Sequence, residues 1–190
     1  MPTRVSQDES KPAPQPLRLV QAFLNTWSAE KGTDLLASMD TGAMWLCEAG
    51  LVDGPGRVTP GGLRQAREVR EGLRALLVHN GGGPAPGPAE LAPLHALARA
   101  SQPRLEVAPD GRVLLAGGPP GALASALAGL LLIVRDAQRQ GTWPRLKACR
   151  NPDCRWAFYD RSHARRGAWC DMASCGNMIK NRNLRARQRG

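Results

Sequence analysis

At 190 residues the chain is long enough to bury the core of one large domain, or of one domain with a small satellite. Its 26 Lys and Arg against 16 Asp and Glu leave a net charge of +10. Twelve of those cations and only 3 of the acids fall after residue 144, so a nearly neutral body carries a basic end. That asymmetry points to a polyanion, nucleic acid before an anionic membrane surface.

Residues 1–16, MPTRVSQDESKPAPQP, lack an apolar run. They read as a disordered leader, not a secretion signal, and a cytoplasmic location is expected. Structural disulfides are rare there. Leu17, Val20, Phe23, Leu24 and Trp27 recur at helical spacing and predict a first amphipathic helix. Thr33 and Asp34 predict the cap of a second, running through Leu35, Leu36 and Met39. AMWLCEAGL (residues 43–51) is an apolar stretch with a glycine stop.

Thr59 and Pro60 fit the N-cap and first turn of the clearest helix. Leu63, Ala66, Val69, Leu73 and Leu76 form its apolar stripe. Arg64/Glu68 and Arg67/Glu71 are expected as i,i+4 pairs on its wet side. GGGPAPGPAE (residues 81–90) reads as a loop, followed by a short helix over 91–100. In residues 104–117, RLEVAPDGRVLLAG, Val and Leu flank a Pro-Asp-Gly turn and predict a small hairpin. Residues 121–140 predict a long helix through Leu123, Leu127, Leu130, Leu131 and Val134. Its apolar run is 14 residues, too short to span a bilayer, so no membrane partner is expected.

Cysteine, tryptophan and arginine replace alanine and leucine around residues 142–146, and a domain boundary is expected there. The organisation is then a leader (1–16), an alanine-rich helical domain (17–143) and a small basic minidomain (144–190). The fold class is mainly α, with one hairpin in the helical domain and a basic helix ending the minidomain.

Four of the five cysteines lie beyond the boundary: Cys149, Cys154, Cys170 and Cys175, spaced C-x4-C-x15-C-x4-C. Two close pairs separated by a loop present four thiolates tetrahedrally to one zinc ion. Four thiolates leave no coordination position for water, so the expected zinc is structural. Residues 145–190 contain few core formers, which implies that the metal supplies their folding energy. Incidental buried thiols, a disulfide or a redox switch that expels zinc are the competing readings. No Ser-His-Asp set, phosphate loop or paired-carboxylate signature is present, and no enzymatic activity is expected.

Gly176 is expected in a left-handed turn, with Asn177 capping a final helix from Met178. At 100° per residue Met178, Arg182, Arg185 and Arg189 fall near one line, with Lys180 and Arg187 opposite beside Leu184. A helix fits the major groove, where Arg reads guanine edges or clamps phosphates. Arg161, Arg165 and Arg166, between the cysteine pairs, are candidates for flanking phosphates. A frayed basic tail is the alternative.

The segments CRNPDC, FYDRS and RRGAWCDMASCGNMIKNRNLRARQR resemble the CGNR zinc finger. That finger closes bacterial putative stress-induced transcription regulators, behind an alanine-rich (ABATE) helical domain. FLNT (residues 23–26) resembles that family's early Phe-Val-Asn-Thr motif, and WLCEAGL (45–51) and the helix over 63–77 match its layout. The resemblance spans about residues 17 to 189. It implies that Cys149, Cys154, Cys170 and Cys175 bind zinc and that the basic helix contacts DNA. Two positions depart from the pattern. Met178 stands where the family name carries arginine, and Ala22 stands where the motif often has an acid.

The expected function is a DNA-binding transcription regulator acting on double-stranded DNA. Its helical domain would sense a small-molecule or stress signal, or form a homodimer. The alternatives are an RNA-binding module, with Trp156, Phe158, Tyr159 and Trp169 stacking on bases, and a zinc-held protein-interaction or redox-sensing module.

Overall fold

The computed structural model describes residues 11–116 and 122–188. Five helices build the body: α1 (Leu17–Leu24), α2 (Met39–Glu48), α3 (Pro60–Asn80), α4 (Pro88–Ser101) and α5 (Leu123–Arg139). Three two-stranded antiparallel sheets join them. These are β1 (Trp27–Ser28) with β2 (Thr33–Asp34), β3 (Arg104–Val107) with β4 (Val113–Ala116), and β5 (Leu146–Ala148) with β6 (Ala157–Tyr159). A last helix, α6 (Asn177–Arg187), follows the cysteines. The mainly helical class and the small hairpin expected from the sequence are both present, the hairpin over 104–116 with residue 117 outside the described residues. None of the helices is long and apolar enough to cross a membrane among the described residues.

α3 is the axis of the molecule. The Thr59 hydroxyl accepts from the Gly62 amide, with Pro60 in the first turn. Leu63, Ala66, Val69, Leu73 and Leu77 are buried and packed against α1, α4 and α5. The stripe ends on Leu77 instead of the expected Leu76, because a 3.6-residue repeat drifts from 73 to 77. Gly72 lets α4 approach closely: a Cβ there would lie 2.9 Å from the Glu90 carbonyl.

Three expectations are corrected. Thr33 and Asp34 do not cap a helix. They pair with Trp27 and Ser28, and Ser38 caps α2 by accepting from Thr41 N. Asp34 is instead drawn to Arg70 on α3, with charge-assisted bonds of 2.6 and 2.8 Å. The Arg64/Glu68 and Arg67/Glu71 surface pairs are replaced by inward ones: Glu71 accepts from Arg70 at 2.8 Å and from Arg74 at 3.0 Å. Residues 11–16, expected in the disordered leader, also pack: Ala13 is buried and Lys11 O accepts from Tyr159 N. Residues 1–10 lie outside the described residues.

The core does not stop at residues 142–146. The β5–β6 hairpin alternates with period two. Leu146, Ala148, Ala157 and Tyr159 enter the helical core, while Phe158 faces the cysteines. Asn25, at the end of α1, donates to Ala157 O at 3.0 Å and accepts from Ala157 N at 2.8 Å. Gln21 donates to the same carbonyl. Asn25 and Thr26 of the FLNT stretch are therefore anchors, the first to β6 and the second to Arg70 through its hydroxyl. Ala22 is buried beside them. The segment after residue 144 takes much of its packing from the helical body, so the metal does not act alone in folding it.

A candidate zinc centre and its basic helix

The β5–β6 hairpin delivers the first cysteine pair. Cys149 follows β5 directly, and its amide donates to Trp156 O. Asn151 then folds the knuckle. Its carbonyl accepts from the amides of Cys154 and Arg155, and its side-chain oxygen accepts from Asp153 N. Arg155 takes φ 52°, which turns the chain back toward β6. The second pair is set by Asp171, whose carboxylate accepts from the Ser174 amide and hydroxyl. Gly176 differs from expectation. Its φ is −64°, not left-handed, and a Cβ there would press on the flexible Met172 side chain and lie 3.1 Å from the Trp169 ring. The glycine leaves room for these two side chains; the backbone does not need it. Asn177 begins α6 as its first helical residue instead of capping it.

The four sulfurs converge. Cys149, Cys154, Cys170 and Cys175 are all buried, and their Sγ atoms lie within 4.8 Å of one another. Cys154 and Cys170 are 3.6 Å apart, and Cys170 and Cys175 are 3.7 Å apart. Zinc–sulfur bonds of about 2.3 Å at tetrahedral angles require edges of ~3.8 Å, so the donor set fits one structural zinc ion. Hydrogen bonds from Cys154 and Cys170 push the Cys149 thiol down to about 2, and the same bonds push Cys154 up to about 12 and Cys170 upward. Four buried cysteine sulfurs in one cluster are the donor set that a divalent cation binds as thiolates. The Asn151 Nδ2 donates to Cys175 Sγ at 3.5 Å, an outer contact that orients the ligand. Trp156, Trp169 and Phe158 pack around the cysteines. Phe158 and Tyr159 are buried and the two tryptophans half-buried, so the four do not form the open stacking platform that an RNA reading requires.

The 15-residue span between the pairs is organised by Asp160. Its buried carboxylate accepts from Lys147 Nζ at 2.8 Å, from the Ser162 amide and hydroxyl, and from Gly167 N. Burial alone would raise its pKa; the Lys147 ammonium, Ser162 and the Gly167 amide outweigh that and hold it well below the usual carboxylate range. A Cβ on Gly167 would lie 2.7 Å from this carboxyl group. The loop wrapped around Asp160 carries Arg161, Arg165 and Arg166, all exposed. Arg161 donates to Pro12 O.

Behind the first knuckle stands Arg74 of α3, 2% exposed. It donates to Arg155 O at 2.9 Å, to Leu24 O at 2.6 Å and to Glu71 at 3.0 Å, and it lies 4.9 Å over the Trp27 ring. Arg150 reaches back from the same knuckle to Gly81 O. Neither Arg74 nor the Lys147–Asp160 pair was picked out from the sequence. Both are long side chains that commonly lie at a surface, and only partners far along the chain bring them inside.

α6 leaves the cage directly. Ile179 is buried, while Met178, Lys180, Arg182, Leu184, Arg185 and Arg187 are exposed. Met178, Arg182 and Arg185 share one side of the helix, as the projection requires. Asp153 is the one acid paired with this helix among the described residues, 3.5 Å from Arg182. Arg189, the last position of the expected ridge, lies outside the described residues.

Two family models match separate parts of the chain. Residues 145–188 match the CGNR zinc finger. Residues 17–139 match the ABATE family, described as putative stress-induced transcription regulators. No curated protein matches the chain.

Proposed function

Because this chain belongs to the ABATE family of putative stress-induced transcription regulators and ends its matched length in a CGNR zinc finger, we propose that it binds double-stranded DNA through α6 and regulates transcription in the cytoplasm. One observation carries the reading: an acid-free helix with four exposed cations, Lys180, Arg182, Arg185 and Arg187, is fixed at its first turn to a buried four-cysteine cage. The cage gives the helix a direction, which a loose basic tail lacks. Arg165 and Arg166 stand on the adjoining loop, within the same basic module, as phosphate contacts. The helical body receives the signal. Both families are of regulatory or zinc-finger type.

The test is duplex-DNA binding as a function of salt, with selection from a random DNA pool by the wild type and Cys175→Ser. Engagement of about four to six cations predicts a slope of log K against log salt of roughly −4 to −5. Wild type should enrich defined sequences and Cys175→Ser should not. A slope near zero, or equal enrichment by both proteins, refutes the proposal.

A further inference from the structure

The β3–β4 hairpin is unlike the other two sheets. All four residues of β3 are exposed, and Leu105, Val107 and Val113 are exposed by 74%, 73% and 65%. The register pairs Arg104 with Ala116, Leu105 with Leu115, Glu106 with Leu114 and Val107 with Val113. Leu105, Val107 and Val113 therefore share one face of the ribbon, and Arg104 and Glu106 share the other. A two-stranded ribbon alone is marginal in water; more strands on an apolar face are needed for stability.

The backbone identifies the open edge. Ala108 N donates to Arg112 O at 2.8 Å, closing the turn around Gly111, whose φ is 81°. From that rung the antiparallel ladder alternates, so the 106/114 and 104/116 pairs exchange the internal hydrogen bonds. Leu105 and Val107 consequently point their N–H and C=O groups away from β4, off the edge of β3 that no other described strand covers.

That edge is complementary to itself. We propose that a second copy of this chain adds its β3 antiparallel to this one, about a two-fold axis through Leu105, giving a four-stranded sheet in the order β4–β3–β3–β4. Leu105 then pairs with Leu105 through two N–H···O=C bonds. Val107 N–H of each copy reaches Pro103 C=O of the other, adding two more. Pro103, lacking an N–H, ends the ladder. On the opposite face Arg104 of each copy lies across from Glu106 of the other, two opposite-charge pairs at directly facing positions. Neighbouring registers are worse. Centring on Glu106 sets like charges together and uses backbone groups already committed to β4. Centring on Val107 sets Leu105 against Pro109, which has no N–H to give. The contact is isologous, so it closes at two copies. It stands whether or not α6 binds DNA.

Sedimentation equilibrium of the full zinc-loaded chain tests this. The wild type should dimerise in the micromolar range. Leu105→Pro removes the central outward N–H and spares the internal ladder, and it should abolish the dimer while circular dichroism and zinc content stay unchanged. Arg104→Glu or Glu106→Arg alone sets like charges face to face and should weaken the dimer by about 5- to 30-fold, the effect expected of two such pairs. The double exchange should restore wild-type affinity. A monomer throughout the micromolar range overturns the proposal. So does a dimer indifferent to Leu105→Pro, a double exchange as weak as the single ones, or an edge that captures a different protein while the chain stays monomeric.

Discussion

α3 and α6 are both arginine-rich, and they use arginine in opposite ways. On α3, Arg70 and Arg74 are 3% and 2% exposed, and each is enclosed by acids or carbonyls: Asp34, Glu71, Leu24 O and Arg155 O. On α6, Arg182, Arg185 and Arg187 are exposed, and among the described residues only Arg182 meets a carboxylate, at 3.5 Å. The count of cations on a helix therefore does not tell whether it is a structural strut or an anion-binding face. The acids within reach decide it. The α3 network is internally neutralised and holds parts together, whereas most of the α6 charge is not neutralised by acids among the described residues.

The comparison is most directly broken at Arg74. This side chain is satisfied by groups from α1, α3 and the first zinc knuckle together. Arg74→Met leaves Glu71 without one of its two cations and the Leu24 and Arg155 carbonyls without this donor. The expected loss of stability is about 3–5 kcal/mol, as for other broken buried charge networks. Chemical denaturation checks it. Because Arg155 adjoins Cys154, the variant should also release zinc to a competing chelator more readily. Arg182→Met on α6, with a rim-exposed partner, should change stability by less than about 1 kcal/mol. Equal losses at the two positions would erase the distinction between the helices.

These inward networks mark the limit of what the sequence discloses. The four cysteines were legible because their spacing is local and thiolate chemistry is narrow. The α3 helix was legible because Thr59, Pro60 and a repeating apolar stripe lie within a few turns. Asp34 was misread as a cap because nothing near it in sequence announces Arg70, which is brought alongside only by the fold. The same holds for Lys147 and Asp160, whose pairing requires the hairpin and the loop to close first. The expected boundary at 142–146 reflected a real change in composition. It could not show that alternate residues of β5 and β6 serve the helical core and the cysteine cage on opposite faces.

Asp160 gives a pH-dependent form of the contrast. Its folded pKa is depressed, so its contribution is fully present above the unfolded carboxylate value of about 3.9 and is lost as pH falls toward the lower folded value. Stability of the zinc-loaded protein should therefore decline as pH drops below about 4. Asp160→Asn should start less stable at pH 7 and show a shallower acid limb in thermal melts from pH 7 to pH 3. It should also loosen the loop bearing Arg165 and Arg166. An acid limb identical to wild type would mean that the Lys147–Asp160 pair does not hold this loop.

The smallest expected effect falls on α6 itself. Met178 is 55% exposed on the side that carries Arg182 and Arg185, and its sulfur accepts weakly from Asn151 Nδ2 at 3.8 Å. Met178→Arg adds a cation to that side at the turn nearest the zinc cage, and removes only a thioether contact from Asn151. Fold stability should shift by no more than about 0.5 kcal/mol, as for most exposed positions. If this side faces DNA, binding should tighten and the salt slope should steepen by about 1, the change expected of one further phosphate contact. The same substitution tests which side of α6 is turned to the nucleic acid, because Leu184, Lys180 and Arg187 line the other. An unchanged slope with Met178→Arg, together with a shallower one on Lys180→Met, would rotate the binding face to that side while leaving the zinc-fixed helix as its carrier.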